Sequence, residues 1–124
     1  MKLYYLNLLL ISLLFSNITF AQHTVNVLDL GAKNDSTGLN TDIIRKAIQQ
    51  ASDKGGGTVY FPAGKYITGP IHMKSNITLF IDAGAELHFS DDFDHYLPMV
   101  ESRWEGTEVT NFSPLIYGTD LENI

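Results

Sequence analysis

Residues 101–108, ESRWEGTE, gather three carboxylates, an arginine and the chain's only tryptophan within eight positions. Two carboxyl groups flanking a glycosidic bond can work as acid and base, and an inverting pair must stand roughly 6.5–9.5 Å apart to admit a water. Glu105 and Glu108 are three positions apart on a segment that reads as a loop, and nothing in the sequence sets their separation or raises one pKa. They are not assigned as catalytic, and no other residue of the chain is. Contact is the better chemistry for this stretch, because an aromatic face stacks on a sugar and a guanidinium grips a carboxylate bidentately. Arg103, Trp104 and Glu105 are therefore the candidate substrate-binding residues. The competing reading is structural: Trp104 plugs its loop onto the body of the protein while Arg103 pairs with a neighbouring acid.

Other suggestive groups fail on spacing. The glycines at 55–57 follow a helix and precede a strand, the reverse of the strand, glycine loop and helix order that brings an anion to a helix amino terminus. SDDFDH, residues 90–95, lacks the alternating third acid, central glycine and distal glutamate of a calcium loop, so Asp91 or Asp92 reads as the cap of a short turn. His23, His72, His88 and His95 show no paired ligand spacing, and His72 and His88 have the parity of outward-facing strand positions. No metal site and no cofactor are assigned.

These residues must be carried by a small scaffold. The chain has 124 residues and no cysteine, so neither a disulfide framework nor thiolate chemistry is available. Residues 1–21 carry Lys2, an apolar run from Leu8 to Phe15 and small or polar residues leading to Ala21, the pattern of a secretory signal peptide cleaved near Ala21. The run is too short for a membrane anchor, which needs about 20 apolar residues. The product would be secreted or periplasmic, with no stable membrane span after cleavage. Residues 22–124 then hold 7 basic against 14 acidic side chains, formally −7. That balance repels phosphate backbones and argues against nucleic acid, while a few cations in a groove still permit an acidic polysaccharide.

In TVNVLDLGA, Val25 and Val27 share one side of a first strand ending at Gly31, and KNDSTGLN reads as a polar link. Between Thr41 and Lys54, Ile43, Ile44, Ala47, Ile48 and Ala51 form the stripe of an amphipathic helix. Asn40 or Thr41 can cap its start and Gly55 can close it in a left-handed conformation. Short strands follow, with Val59 and Phe61, then Ile67, Ile71 and Met73, then Ile77, Leu79 and Ile81, then Ala85, Leu87 and Phe89 facing inward. Ile67, Ile77 and Leu87 recur at steps of ten with turns between, a pattern shared by sandwiches and stacked β-solenoids. KSN and DAG lack the Asn-Gly or Asp-Gly pairs of two-residue hairpins but can serve as corners, which favours the solenoid.

The last residues contain one more strand, Leu115–Tyr117, and end on Asn123-Ile124, an echo of Asn76-Ile77. A solenoid end needs a cap or another coil. The expectation is therefore a cap and first coils over residues 22–124, an incomplete, N-terminal portion of a longer solenoid.

DLGAKNDSTGLNTDIIRKAIQQASDKGGGTVYFPAGKYITGPIHMKSNITLFIDAGAELHFS resembles the opening of the pectate-lyase-like right-handed parallel β-helix proteins. The continuation, DDFDHYLPMVESRWEGTEVTNFSPLIYGTDLENI, is similar to polygalacturonase-like enzymes, family 28 of the glycoside hydrolases. GGGTVYFPAG, SNITL and RWEG carry the likeness together, while Leu30, Asn34 and Ser36 depart from it in a first turn. The resemblance implies inverting hydrolysis of pectic, galacturonan-type polysaccharide by aspartates projecting from one sheet. The motifs that hold those aspartates in relatives have no counterpart in this chain, so the resemblance implies an inactive stretch of an active enzyme. The alternative, on the same fold, is a non-catalytic carbohydrate-binding β-helix such as a surface protein or adhesin.

Overall fold

The computed structural model describes residues 23–124, so the leader-like segment at 1–21 lies outside the described residues. Strand β1 (Thr24–Asn26) runs into a 3-10 turn (Val27–Leu30), followed by β2 (Asp35–Leu39) and helix α1 (Thr41–Asp53). Strands β3 (Gly57–Phe61), β4 (Gly64–Thr68), β5 (Ile71–His72), β6 (Ile77–Ile81) and β7 (Ala85–Phe89) come next. A second 3-10 turn (Phe93–Tyr96), β8 (Val100–Trp104), β9 (Thr107–Asn111) and β10 (Ile116–Tyr117) complete the order.

Consecutive strands do not pair, except in one hairpin. Three parallel sheets form instead, in the orders β1-β3-β6, β2-β4-β7 and β10-β5. Gly57 lies beside Ile77 and Gly64 beside Ala85, so one coil takes 20 or 21 residues and its corners are the short links. This is a parallel β-helix. The ten-residue step in the sequence is half a coil, and it joins residues of different sheets.

Inward side chains of all three sheets meet the helix stripe in one core. Val25, Val27, Val59, Phe61, Tyr66, Ile71, Met73 and Ile77 pack with Ile44, Ala47, Ile48 and Ala51. Each fully buried aliphatic or aromatic side chain there contributes about 1.5–3 kcal/mol by leaving water. The helix closes as expected: Gly55 takes φ 89 and its N–H meets the Ser52 carbonyl at 2.9 Å.

Several expectations need correction. In β4 the buried residues are Tyr66 and Thr68, and Ile67 faces outward. Tyr66 wins the interior because its ring meets Phe61 edge-on at 5.6 Å and its hydroxyl donates to the Pro62 carbonyl at 2.8 Å. Ile81 has inward parity but sits at the end of its strand and stays 45% exposed. KNDSTGLN is not only a link, since Asp35–Leu39 pairs with β4 through backbone bonds that no apolar pattern announces. Asn40 occupies the helix N-cap position without a side-chain cap bond. Its amide is spent elsewhere, donating to the carbonyls of Lys33, Gly38 and Ile67 and accepting from the Lys33 N–H at 2.7 Å.

Candidate functional site

The segment 100–111 is an antiparallel hairpin inserted into the parallel coil, not a loop. Glu105 and Gly106 form its turn with φ 49 and φ 86, the paired positive values that a two-residue primed turn requires. Glu-Gly does here what Asn-Gly commonly does. Arg103 lies opposite Glu108 and Trp104 opposite Thr107.

Strand alternation separates the predicted contacts. Val100, Ser102 and Trp104 share one face with Thr107, Val109 and Asn111, while Glu101 and Arg103 share the other with Glu108 and Thr110. At the hairpin base Val100, Ser102 and Val109 are half-buried; at the tip Trp104 is 70% exposed. Trp104 is thus not plugged onto the described coils. The hairpin is held by its flanks, where Phe112 packs on Phe93 at 5.3 Å and buried Tyr96 donates its hydroxyl to the Ser90 carbonyl. Asp92 caps the turn between them, accepting from the Asp94 N–H at 3.0 Å. Arg103 faces Glu108 without an ion pair among the described residues, at a site exposed enough for water to serve both charges. Arg103 and Trp104 point to opposite faces, so they cannot clamp one sugar between them, and Glu105 stands exposed in the turn.

Beside the hairpin runs the third sheet. Ile71 pairs with Ile116 and His72 with Tyr117, and the backbone bond from Met73 N–H to the Tyr117 carbonyl is 2.8 Å. Ile71 is buried, so the next residue, His72, projects outward. Parallel register then stacks its ring on Tyr117 at 4.5 Å and 9°. A hollow of about 520 Å³ separates this pair, with Gly118 and Thr119, from Val100, Glu101 and Ser102 at the hairpin base. It offers a flat aromatic stack, a carboxylate and hydroxyls, the combination that holds a sugar ring. No local pattern in the sequence marks this stack, because its two members are joined only by a coil 45 residues long.

The other sheets carry polar ladders on their outer faces. The His88 imidazole at 2.8 Å and the Lys65 ammonium at 3.6 Å hold the Glu86 carboxyl below the usual glutamate range. On the first sheet Tyr60 stacks with Phe80 and donates its hydroxyl to Asp82, which lowers the Asp82 pKa and raises that of Tyr60. Both ladders brace neighbouring coils.

Residues 24–111 match the family described as Rhamnogalacturonase A/epimerase, pectate lyase-like. The chain belongs to that family. Within this pectate-lyase-like family it is similar to a probable polygalacturonase of Vitis vinifera, 30% identical over 89% of this chain and 24% of the relative. It is also similar to an exo-poly-alpha-D-galacturonosidase of Dickeya chrysanthemi, 38% identical over 63% of this chain and 13% of the relative. A solved exopolygalacturonase from Thermotoga maritima superposes with a TM-score of 0.74 at 42% identity, covering 82% of this chain and 22% of that one. A family 28 exopolygalacturonase of Yersinia enterocolitica gives 0.68 at 35% identity, over 81% and 17%. The chain thus spans about a quarter or less of these relatives. The pectate-lyase-like chain is a polygalacturonase-like right-handed parallel β-helix, as its resemblance implied.

Proposed function

We propose that this chain is the opening section of an exported glycoside hydrolase that cleaves galacturonan-type pectic polysaccharide by inverting hydrolysis. The observation that carries the reading is the likeness to the Thermotoga exopolygalacturonase, 42% identical across 82% of this chain. In this reading the described coils and hairpin shape one side of a substrate groove, and the aspartates that break the bond lie outside this chain. Trp104 at the hairpin tip and the His72–Tyr117 stack give sugar rings flat apolar surfaces. Arg103, on the opposite face of the hairpin, gives a uronate carboxylate a bidentate partner.

The test is reducing-end release from polygalacturonate by the 124-residue chain and by the full product of its gene. The longer product should be active and the chain alone inactive. Activity of the chain that disappears in Glu105→Gln would restore the carboxylate-pair reading; inactivity of both would remove the hydrolase. Export is checked separately, by amino-terminal sequencing of secreted product, which should begin just after Ala21. A second reading has its own support, since the chain is 43% identical over 60 residues to an alginate lyase of Azotobacter vinelandii. A lyase would release a reducing end too, but would leave an unsaturated, ultraviolet-absorbing non-reducing end on the other fragment, which hydrolysis does not.

A further inference from the structure

Helix α1 and the third sheet do not close on each other completely. Between them, sharing His72 and Tyr117 with the hollow at the hairpin base, lies a crevice of about 390 Å³. Its size falls within the range of small-ligand sites. Buried isoleucines of the core form its floor. Its polar walls come from four separate segments: Arg45 and Gln49 on α1, His72 and Lys74 on or just past β5, His95 in the second 3-10 turn, and Tyr117 on β10.

The charge of this lining runs against the rest of the molecule. The sequence holds 14 acidic and 8 basic residues, yet no aspartate or glutamate lines the crevice, while an arginine and a lysine do. Lys74 donates to the Gln49 side-chain carbonyl and makes no ion pair among the described residues. Its ammonium keeps further donors for an incoming acceptor. Arg45 bonds Asp42 at 2.8 Å, which leaves guanidinium N–H groups unused by that contact. The His95 Nδ1 meets the Ser90 hydroxyl at 2.7 Å, and its Nε2 lies 3.8 Å from Asp92. Lysine and arginine call for an anion. The stacked His72 and Tyr117 rings call for an apolar face on the same ligand. A free phosphate supplies only the first and a neutral sugar only the second; a uronate supplies both.

The geometry points to this crevice as a binding site for a uronate residue of an acidic polysaccharide, its carboxylate on Lys74 and Arg45 and its ring against the His72–Tyr117 stack. The inference rests on the acidic-polymer part of the functional reading and is independent of bond cleavage. It places a sugar beside α1, on the same His72 and Tyr117 rings that border the hairpin hollow.

Calorimetric titration of the full chain tests it, using trigalacturonate, its fully methyl-esterified form, trimannuronate and inorganic phosphate as probes. Trigalacturonate should bind, the methyl ester should bind about tenfold more weakly, and Lys74→Gln should remove about that same factor for the acid form alone. Arg45→Gln, on an exposed helix face, is the second variant, and unchanged far-ultraviolet dichroism certifies both as folded. Equal affinity for acid and ester, or for parent and both variants, overturns the site. So does phosphate competing as well as the oligomer, which would mark an adventitious ion only, and so does absence of binding by any uronate probe. Lys74-dependent binding of trimannuronate without trigalacturonate would keep the crevice and remove the pectic substrate. Galacturonan cleavage with Lys74-independent binding would do the reverse.

Discussion

Two side chains show how local polar bonds fasten one coil to the next. Asn40 is 1% exposed and its amide joins the segment before β2 to β4. Asn40→Ala would strip a partner from the part-buried Lys33 N–H and from the carbonyls of Lys33, Gly38 and Ile67. It should cost about 2–3 kcal/mol, more than a lost helix cap, read as a lower denaturant midpoint at unchanged slope. Tyr60 acts through Asp82. Because its hydroxyl bond favours the charged carboxylate, the folded-state pKa lies below the ordinary aspartate value of 3.8. The associated stability is present above that value and is lost as pH falls through the lower folded-state pKa. Tyr60→Phe should move the Asp82 pKa up toward 3.8, leaving the part of the depression owed to the Ala83 N–H. Carboxyl-carbon NMR titration checks this, and an unmoved pKa would mean that the hydroxyl does not hold the carboxylate.

At the scale of elements, the hairpin is built on different physics from the coils around it. Its ladder is antiparallel, its turn needs two left-handed residues, and none of its residues from Val100 to Asn111 is fully buried. Glu105 takes φ 49, a conformation that asparagine adopts more cheaply than glutamate. Glu105→Asn should therefore slow amide exchange within β8 and β9 by a factor corresponding to about 0.5–1 kcal/mol. The melting temperature should stay where it is, because the core is elsewhere. A shift of the whole transition would show that hairpin and coils unfold as one unit. The parallel coils tolerate no such freedom at their corners: a Cβ on Gly57, at φ 154, would stand 2.1 Å from the His23 carbonyl oxygen.

For the whole molecule, burial ranks the parts. The fully buried aliphatic and aromatic side chains belong to α1, β3, β4, β5, β6 and the first 3-10 turn, and β10 is joined to that body through a two-residue ladder. Native-state hydrogen exchange should find its slowest amides in α1 and β3, intermediate ones in β7, and its fastest in the hairpin and β10. Uniform protection across all of these would contradict a core concentrated at the helix-covered coils. The coil repeat continues to the last residues, where Asn123 donates its side-chain amide to Asn76 at 2.9 Å and both residues are left-handed.

Much of this was legible before any coordinates. The stripe of Ile44, Ala47, Ile48 and Ala51, the closing Gly55, the outward His72 and His88, the capping Asp92 and the Asn76/Asn123 echo all follow from period, turn chemistry or repetition, which are local properties of a chain. What escaped depends on long-range pairing. Glu-Gly was legible as a turn in principle, but with a polar strand on each side only the formed ladder shows a hairpin. Ile67 lost the interior to Tyr66 because the choice lay in the fit of a ring against Phe61, not in hydrophobicity. The His72–Tyr117 stack exists because 45 residues of coil return the chain to one sheet. The cation-lined crevice exists because a helix, two strands and a turn leave a gap between them. Sequence alone thus determined the helix, the short central strands and a repeat that favours a solenoid; tertiary structure decided β2, the hairpin and which side chains share a surface, since no local pattern encodes the register of coils that distant.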